Sequence, residues 1–182
     1  MTAPIGLFYG SSTCYTEIAA EKICAELGAD LVDIHNIAAS GVAPMENYQL
    51  LILGIPTWDY GELQEDWEAL WDAIDQLDFN GKTIALYGLG DQIGYPEWFQ
   101  DALGFLWAKV VNLGGKVVGQ WPVTGYSFEQ SKALTADGNY FVGLALDDEN
   151  DFELSDERIA RWCQQIVAEF GLAPPNAGAN TP

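Results

Sequence analysis

The stretch Gly10, Ser11, Ser12, Thr13, Cys14, Tyr15, Thr16 and Glu17 is rich in hydroxyls and holds no lysine or arginine. It follows an apolar run and enters a segment of helical period. Its backbone N–H groups and the hydroxyls of Ser11, Thr13 and Thr16 could therefore surround a phosphate at a helix N-terminus without a cation. A serine- and threonine-rich helix cap with no ligand accounts for the same residues. Other phosphate chemistries fit poorly: the lysine of a nucleotide-binding P-loop is absent, and the sixth residue after Cys14 is Ala20, where a phosphatase loop needs arginine.

Two further loops place an aromatic ring among flexible polar residues. One reads Pro56, Thr57, Trp58, Asp59, Tyr60, Gly61, Glu62; the other reads Gly88, Leu89, Gly90, Asp91, Gln92, Ile93, Gly94, Tyr95. Two aromatics at the mouth of a sheet could sandwich a flat heteroaromatic ring, while the glycines let backbone approach its edge. Trp58 lies between turn formers and outside any apolar stripe, unlike Trp67 and Trp71.

The elements that must position these loops alternate. Residues 5–9, 31–34, 50–55 and 83–87 are buried-strand runs without polar alternation, as in a parallel sheet covered on both faces, and 117–120 with 140–146 could be two halves of a fifth strand. A helix is expected over 15–27. Trp67, Leu70, Trp71, Ile74 and Leu77 form one helical stripe, which places both tryptophans in the core. Ser155 reads as an N-cap, followed by the stripe Ile159, Trp162, Cys163, Ile166, Val167, Phe170. In an open parallel sheet, ligands bind beyond the carboxyl ends of the strands at the switch point, where the three loops would converge. The long irregular stretch 121–139 interrupts the fifth strand, and 173–182 reads as a disordered tail outside a single domain over 4–172.

The 27 acidic and 7 basic residues give a formal net charge of −20, which argues against nucleic acid and anionic membrane as partners and suits basic protein surfaces. No stretch approaches the roughly 18 apolar residues of a membrane-spanning helix. Cys14, Cys24 and Cys163 have neither metal-ligand nor redox-pair spacing, and the odd count suits a reducing cytoplasm. The acidic run 147–151 lacks the spacing of a calcium loop, so no metal is expected. His35 is the only histidine and has no neighbouring nucleophile in sequence, so no catalytic residue is assigned.

Together the phosphate turn and the two aromatic loops resemble, in order and spacing, the three cofactor-binding loops of the flavodoxins. Gly125, Tyr126 and residues 142–150 resemble the long-chain branch, whose insertion splits the fifth strand, so the likeness runs from Ile5 to about Leu172. It implies an α/β three-layer sandwich with a five-stranded parallel sheet of order 2-1-3-4-5, FMN as cofactor, and a low-potential one-electron carrier rather than an enzyme. Such a carrier cycles FMN between quinone, semiquinone and hydroquinone. On this resemblance Ser11, Ser12, Thr13, Cys14, Tyr15 and Thr16 wrap the phosphate. Trp58 stacks on the inner face of the ring and Tyr95 on the outer, and Asp91 lies by the pyrimidine edge. Pro56, Thr57, Gly61, Gly88, Leu89, Gly90, Gln92 and Asp147 complete the shell, and the Asp59–Tyr60 peptide reorients towards flavin N5. Cys14 and Tyr15 stand where most members have Gly and Asn, and Asp151 where many have Gln.

The implied partners are basic surfaces of redox proteins such as a ferredoxin/flavodoxin–NADP reductase, an oxidoreductase or a photosystem, met by a monomer. Ten carboxylates roughly 12 Å from the ring would add about 3.5 kcal/mol in a water-like dielectric, on the order of 150 mV before screening. Two other readings compete: an FMN-dependent quinone reductase, which needs the ring face that Tyr95 would cover, and a phospho-accepting signalling domain, which needs acids where Gly10 to Thr13 and Pro56 to Trp58 stand.

Overall fold

The computed structural model describes residues 2–173. The expectation of a disordered tail falls almost wholly outside those residues. Strand β1 (Ile5–Tyr9) is buried at all five positions. It pairs in parallel with β2 (Val32–Asn36) on one side and β3 (Leu50–Trp58) on the other, and β3 pairs with β5 (Thr83–Leu89). α1 (Tyr15–Leu27) packs beside α5 (Ser155–Glu169), while α3 (Glu65–Ile74) and α4 (Asp101–Asn112) are joined through Lys109 on the opposite face, as the right-handed crossover rule for parallel strands requires. Coverage on both faces is why β1, β3 and β5 are apolar along nearly their whole length, whereas β2, expected to be buried, is an edge strand carrying Asp33, His35 and Asn36 with only Val32 buried. A short α2 (Ile37–Ser40) follows β2.

The outer edge of β5 carries two separate strands. β6 (Lys116–Val118) pairs with its first half, Thr83 opposite Lys116, and β9 (Leu144–Leu146) with its second half, Tyr87 opposite Leu144. The fifth strand is therefore split, as expected, but its second half is shorter than residues 140–146. β8 (Tyr140–Phe141) leaves the sheet and pairs antiparallel with β7 (Trp121–Pro122). Gly143 makes the return possible, since a Cβ there would lie 2.3 Å from the Leu86 carbonyl oxygen. A two-residue strand, β4 (Glu62–Leu63), pairs antiparallel with the end of β3 and had no separate signal in the sequence.

Two side chains differ from their expected places. Trp67 is fully buried, but Trp71 is only half-buried, at the edge of the stripe, where Lys109 covers its ring. Ser155 does not cap α5. It is the first helical residue, and its hydroxyl donates to Asp148 instead.

Candidate functional site

The hydroxyl-rich turn is held from below. Gly10 lies where a Cβ would meet Gln64 Oε1 at 2.5 Å and the Trp67 ring at 2.8 Å, so only glycine lets the turn sit on α3. Gln64, the buried N-cap of α3, donates to Ser12 Oγ at 3.0 Å. From the other side the Tyr87 hydroxyl donates to the Thr16 carbonyl at 2.9 Å, reaching it across Gly54, where any side chain would strike the Tyr87 ring. Cys14 is the N-cap of α1 in the left-handed conformation, φ 68°, and its side chain caps nothing. The first helical bond runs from Ile18 N to Cys14 O. The amides of Tyr15, Thr16 and Glu17 have no hydrogen-bond acceptor among the described residues. Ser11 Oγ is buried and likewise without a partner. Unsatisfied donors thus gather where the positive end of a helix dipole already favours an anion.

The second loop is a tight hairpin rather than an irregular segment. Thr57 and Trp58 pair with Leu63 and Glu62, and Asp59, Tyr60 and Gly61 turn between them, with φ of 43° at Asp59 and 86° at Gly61. Thr57 Oγ1 accepts from Ala102 N at 3.0 Å, anchoring the hairpin to the start of α4. Tyr60 is 66% exposed and meets the rings of Tyr95 and Trp98 edge-on, at 5.9 and 5.1 Å between centroids.

The third loop is fastened to the end of β9. Gly90 N donates to the Leu146 carbonyl, and buried Gln100 donates from its Nε2 to the carbonyls of both Gly88 and Leu146. Asp91 accepts from Ile93 N, Gly94 N and Asn150 Nδ2. Burial would raise its pKa, but the bonds from Gly94, Asn150 and Ile93 outweigh burial and hold it below the usual carboxylate value. The Asp59 carboxylate, then partial burial, raises the Tyr95 phenol.

A cavity of about 230 Å³ opens where the loops meet. Its walls are Thr13 and Tyr15, Pro56 to Asp59, Leu89 to Asp91 with Tyr95, and Asp148 with Glu149. Ser11, Ser12, Cys14 and Thr16 belong to the turn beside it, Tyr60 and Gly61 to the hairpin tip, and Gly88 to buried backbone.

Two expected residues turn away from the cavity. Gln92 is buried, with its amide N–H on Asp147, its Nε2 on Asp151 and its Oε1 accepting from Ser127 N. Asp147 is fully buried and accepts from the amides of Gln92, Glu149 and Asn150. Gln92 ties the loop to the insertion through Ser127, and Asp147 ties it to the segment that follows β9. The missed wall residues are their neighbours, Asp148 and Glu149. Burial raises the pKa of Asp148, against the opposing Ser155 hydroxyl and Lys22 charge. Among the described residues no cluster of three His, Cys, Asp or Glu is arranged to hold a metal.

The family model described as Flavodoxin matches residues 7–162. The chain is 60% identical over 166 residues to the protein named Flavodoxin 2 of Escherichia coli (strain K12), spanning 91% of this chain and 96% of that relative. It is 51% identical over 172 residues to the flavodoxin of Nostoc sp. (strain PCC 7120 / SAG 25.82 / UTEX 2576), spanning 94% and 100%. Among solved structures, Fusobacterium nucleatum flavodoxin bound to flavin mononucleotide is similar with a TM-score of 0.86 and 36% identity, over 91% of this chain and 97% of that one.

Proposed function

The chain belongs to the flavodoxin family and is an FMN electron carrier, not an enzyme, and from that premise we propose how its own residues hold the cofactor and meet partners. When bound, FMN supplies the redox chemistry, accepting and releasing electrons one at a time. The observation that carries the assignment of residues is the unpartnered, buried Ser11 hydroxyl beside the open amides of α1. A phosphate at that point satisfies donors that the fold otherwise leaves unmatched.

Ser11 to Thr16 hold the phosphate, Trp58 and Tyr95 stack on the two ring faces, and Gly90 and Asp91 meet the ring edge. Asp59 and Gly61 lie in the left-handed region at the hairpin tip, between the paired strands, and it is the Asp59–Tyr60 peptide there that reorients towards the ring. Asp59, Asp91, Asp148 and Glu149 line the cavity, and each opposes added negative charge within it, which keeps the potential low. Gln92 and Asp147 act one layer out, by holding the loop that carries Asp91 and Tyr95.

Flavodoxins serve redox partners. For this chain we assign basic surfaces on reductases and oxidoreductases, because a net charge of −20 steers positive surfaces towards it and repels further copies of itself, favouring a monomer. Three free cysteines suit a reducing cytoplasm. No helix among the described residues is long and apolar enough to cross a membrane.

The deciding experiment is an absorbance titration of the purified chain with FMN, followed by stepwise anaerobic reduction. Saturable binding and two resolved one-electron stages are expected. Absence of binding, or uptake of both electrons in one stage, would overturn the reading.

A further inference from the structure

A groove of about 660 Å³ lies between α3 and α4, apart from the cofactor cavity. Its apolar surface includes Leu63, Trp71 and Phe105, and Glu62, Glu68 and Asp75 stand along it. One end already holds a cation. The Lys109 ammonium lies 4.6 Å over the Trp71 ring, donates to the Trp71 carbonyl at 2.9 Å and pairs with Asp75 at 2.7 Å. Carboxylates and an aromatic floor thus suffice to hold a long basic side chain in this groove. Glu62 and Glu68 have no such partner: no cation lies within ion-pair distance of either among the described residues.

We propose that this groove docks an amphipathic, Lys- or Arg-bearing segment of a basic partner protein. The partner's apolar stems lie on Leu63 and Phe105 and its charges on Glu62 and Glu68. That the partner is a redox protein rests on the carrier reading above. The groove also adjoins the hairpin directly, since Gly61, Glu62 and Leu63 line it while Trp58, paired with Glu62, lines the cofactor cavity. A partner seated there touches the return strand of the hairpin without covering the cavity.

The test is an NMR titration of the FMN-loaded protein with a synthetic helical peptide of lysine and leucine at spacings of three and four. Expected are shifts at Leu63, Phe105 and the Trp71 indole N–H, and affinity at least about tenfold weaker in the Glu62→Lys/Glu68→Lys protein. An equal change of charge on α1, Glu21→Lys/Glu26→Lys, is expected to weaken binding by less than about twofold. Equal weakening in both proteins, shifts confined to Tyr60, Tyr95 and Glu149, or no shifts at all would overturn the proposal. The flavin absorbance of the same samples reads cofactor binding separately, so failure of the carrier reading would be seen independently.

Discussion

Ser11 and Cys14 make the phosphate turn testable one atom at a time. Because Ser11 Oγ has no partner in the fold, Ser11→Ala should leave the cofactor-free chain as stable as before while weakening FMN binding at least about tenfold, since a hydrogen bond to a charged group contributes about 1.5–3 kcal/mol. Isothermal titration with FMN, beside urea unfolding of the cofactor-free chain, separates the two effects. A loss of stability without loss of affinity would mean the hydroxyl serves the fold. Cys14 sits at φ 68° with no cap bond in return. A left-handed non-glycine residue costs about 1–2 kcal/mol, and the added freedom of glycine in the unfolded chain offsets about half of that. Cys14→Gly should therefore raise the midpoint of thermal unfolding by about 2 °C and leave FMN affinity intact. Unchanged or lowered stability would show that the thiol makes a contribution the backbone geometry does not reveal. The sequence identified Cys14 as a departure from glycine within the resemblance, but the left-handed backbone that explains a glycine there came only from the fold.

At the scale of elements, the start of α4 joins the hairpin to the insertion. Asp101 is buried, accepts from Lys132 N in the insertion at 2.8 Å, and packs under Gly61, where a Cβ would meet its Oδ2 at 2.9 Å. Burial raises its pKa above 3.8, against the opposing Lys132 amide and ammonium. A raised folded value means that the folded chain binds the proton more tightly. The stability this carboxyl contributes is present below 3.8 and is lost as pH rises through the folded value. Asp101→Asn keeps an acceptor for Lys132 N. It should gain stability relative to the parent as pH climbs from about 3.5 to about 6.5, measured by urea unfolding across that range. A difference that stays constant with pH would show that Asp101 ionises as freely in the fold as in the unfolded chain. None of this was legible in sequence, because Gly61, Asp101 and Lys132 lie far apart along the chain. The strands were legible: residues 5–9 are apolar at nearly every position and buried at all five. Trp71 was misplaced because a helical stripe gives the side of a helix but not how far the neighbouring helix extends over it.

For the whole molecule, charge is the dominant property. The acidic walls of the cavity and the net charge of −20 act on the cofactor through partly screened space. Raising ionic strength from about 10 mM to about 500 mM should move the midpoint potentials upward by tens of millivolts and remove much of the rate advantage with a basic reductase. Potentiometric titration at the two salt levels checks the first effect and stopped-flow reduction the second. Potentials insensitive to salt would place their control in the immediate wall carboxylates rather than in the molecular field.

What the sequence determined by itself is the alternation of buried strands with helices and the order of three loops bearing hydroxyls, Trp58 and Tyr95. Apolar periodicity and turn chemistry are local properties, and the parallel sheet brings the ends of its strands to one edge whatever the side chains elsewhere do. Tertiary structure alone decided which of the consecutive acids 147–149 faces the cavity. Asp147 is drawn inward by the amides of Gln92, Glu149 and Asn150, and that turn sends Asp148 and Glu149 to the wall. Neighbouring carboxylates are chemically alike in sequence, and they differ only once the Gln92 amide of a distant loop joins the local amides of Glu149 and Asn150 on one side of Asp147.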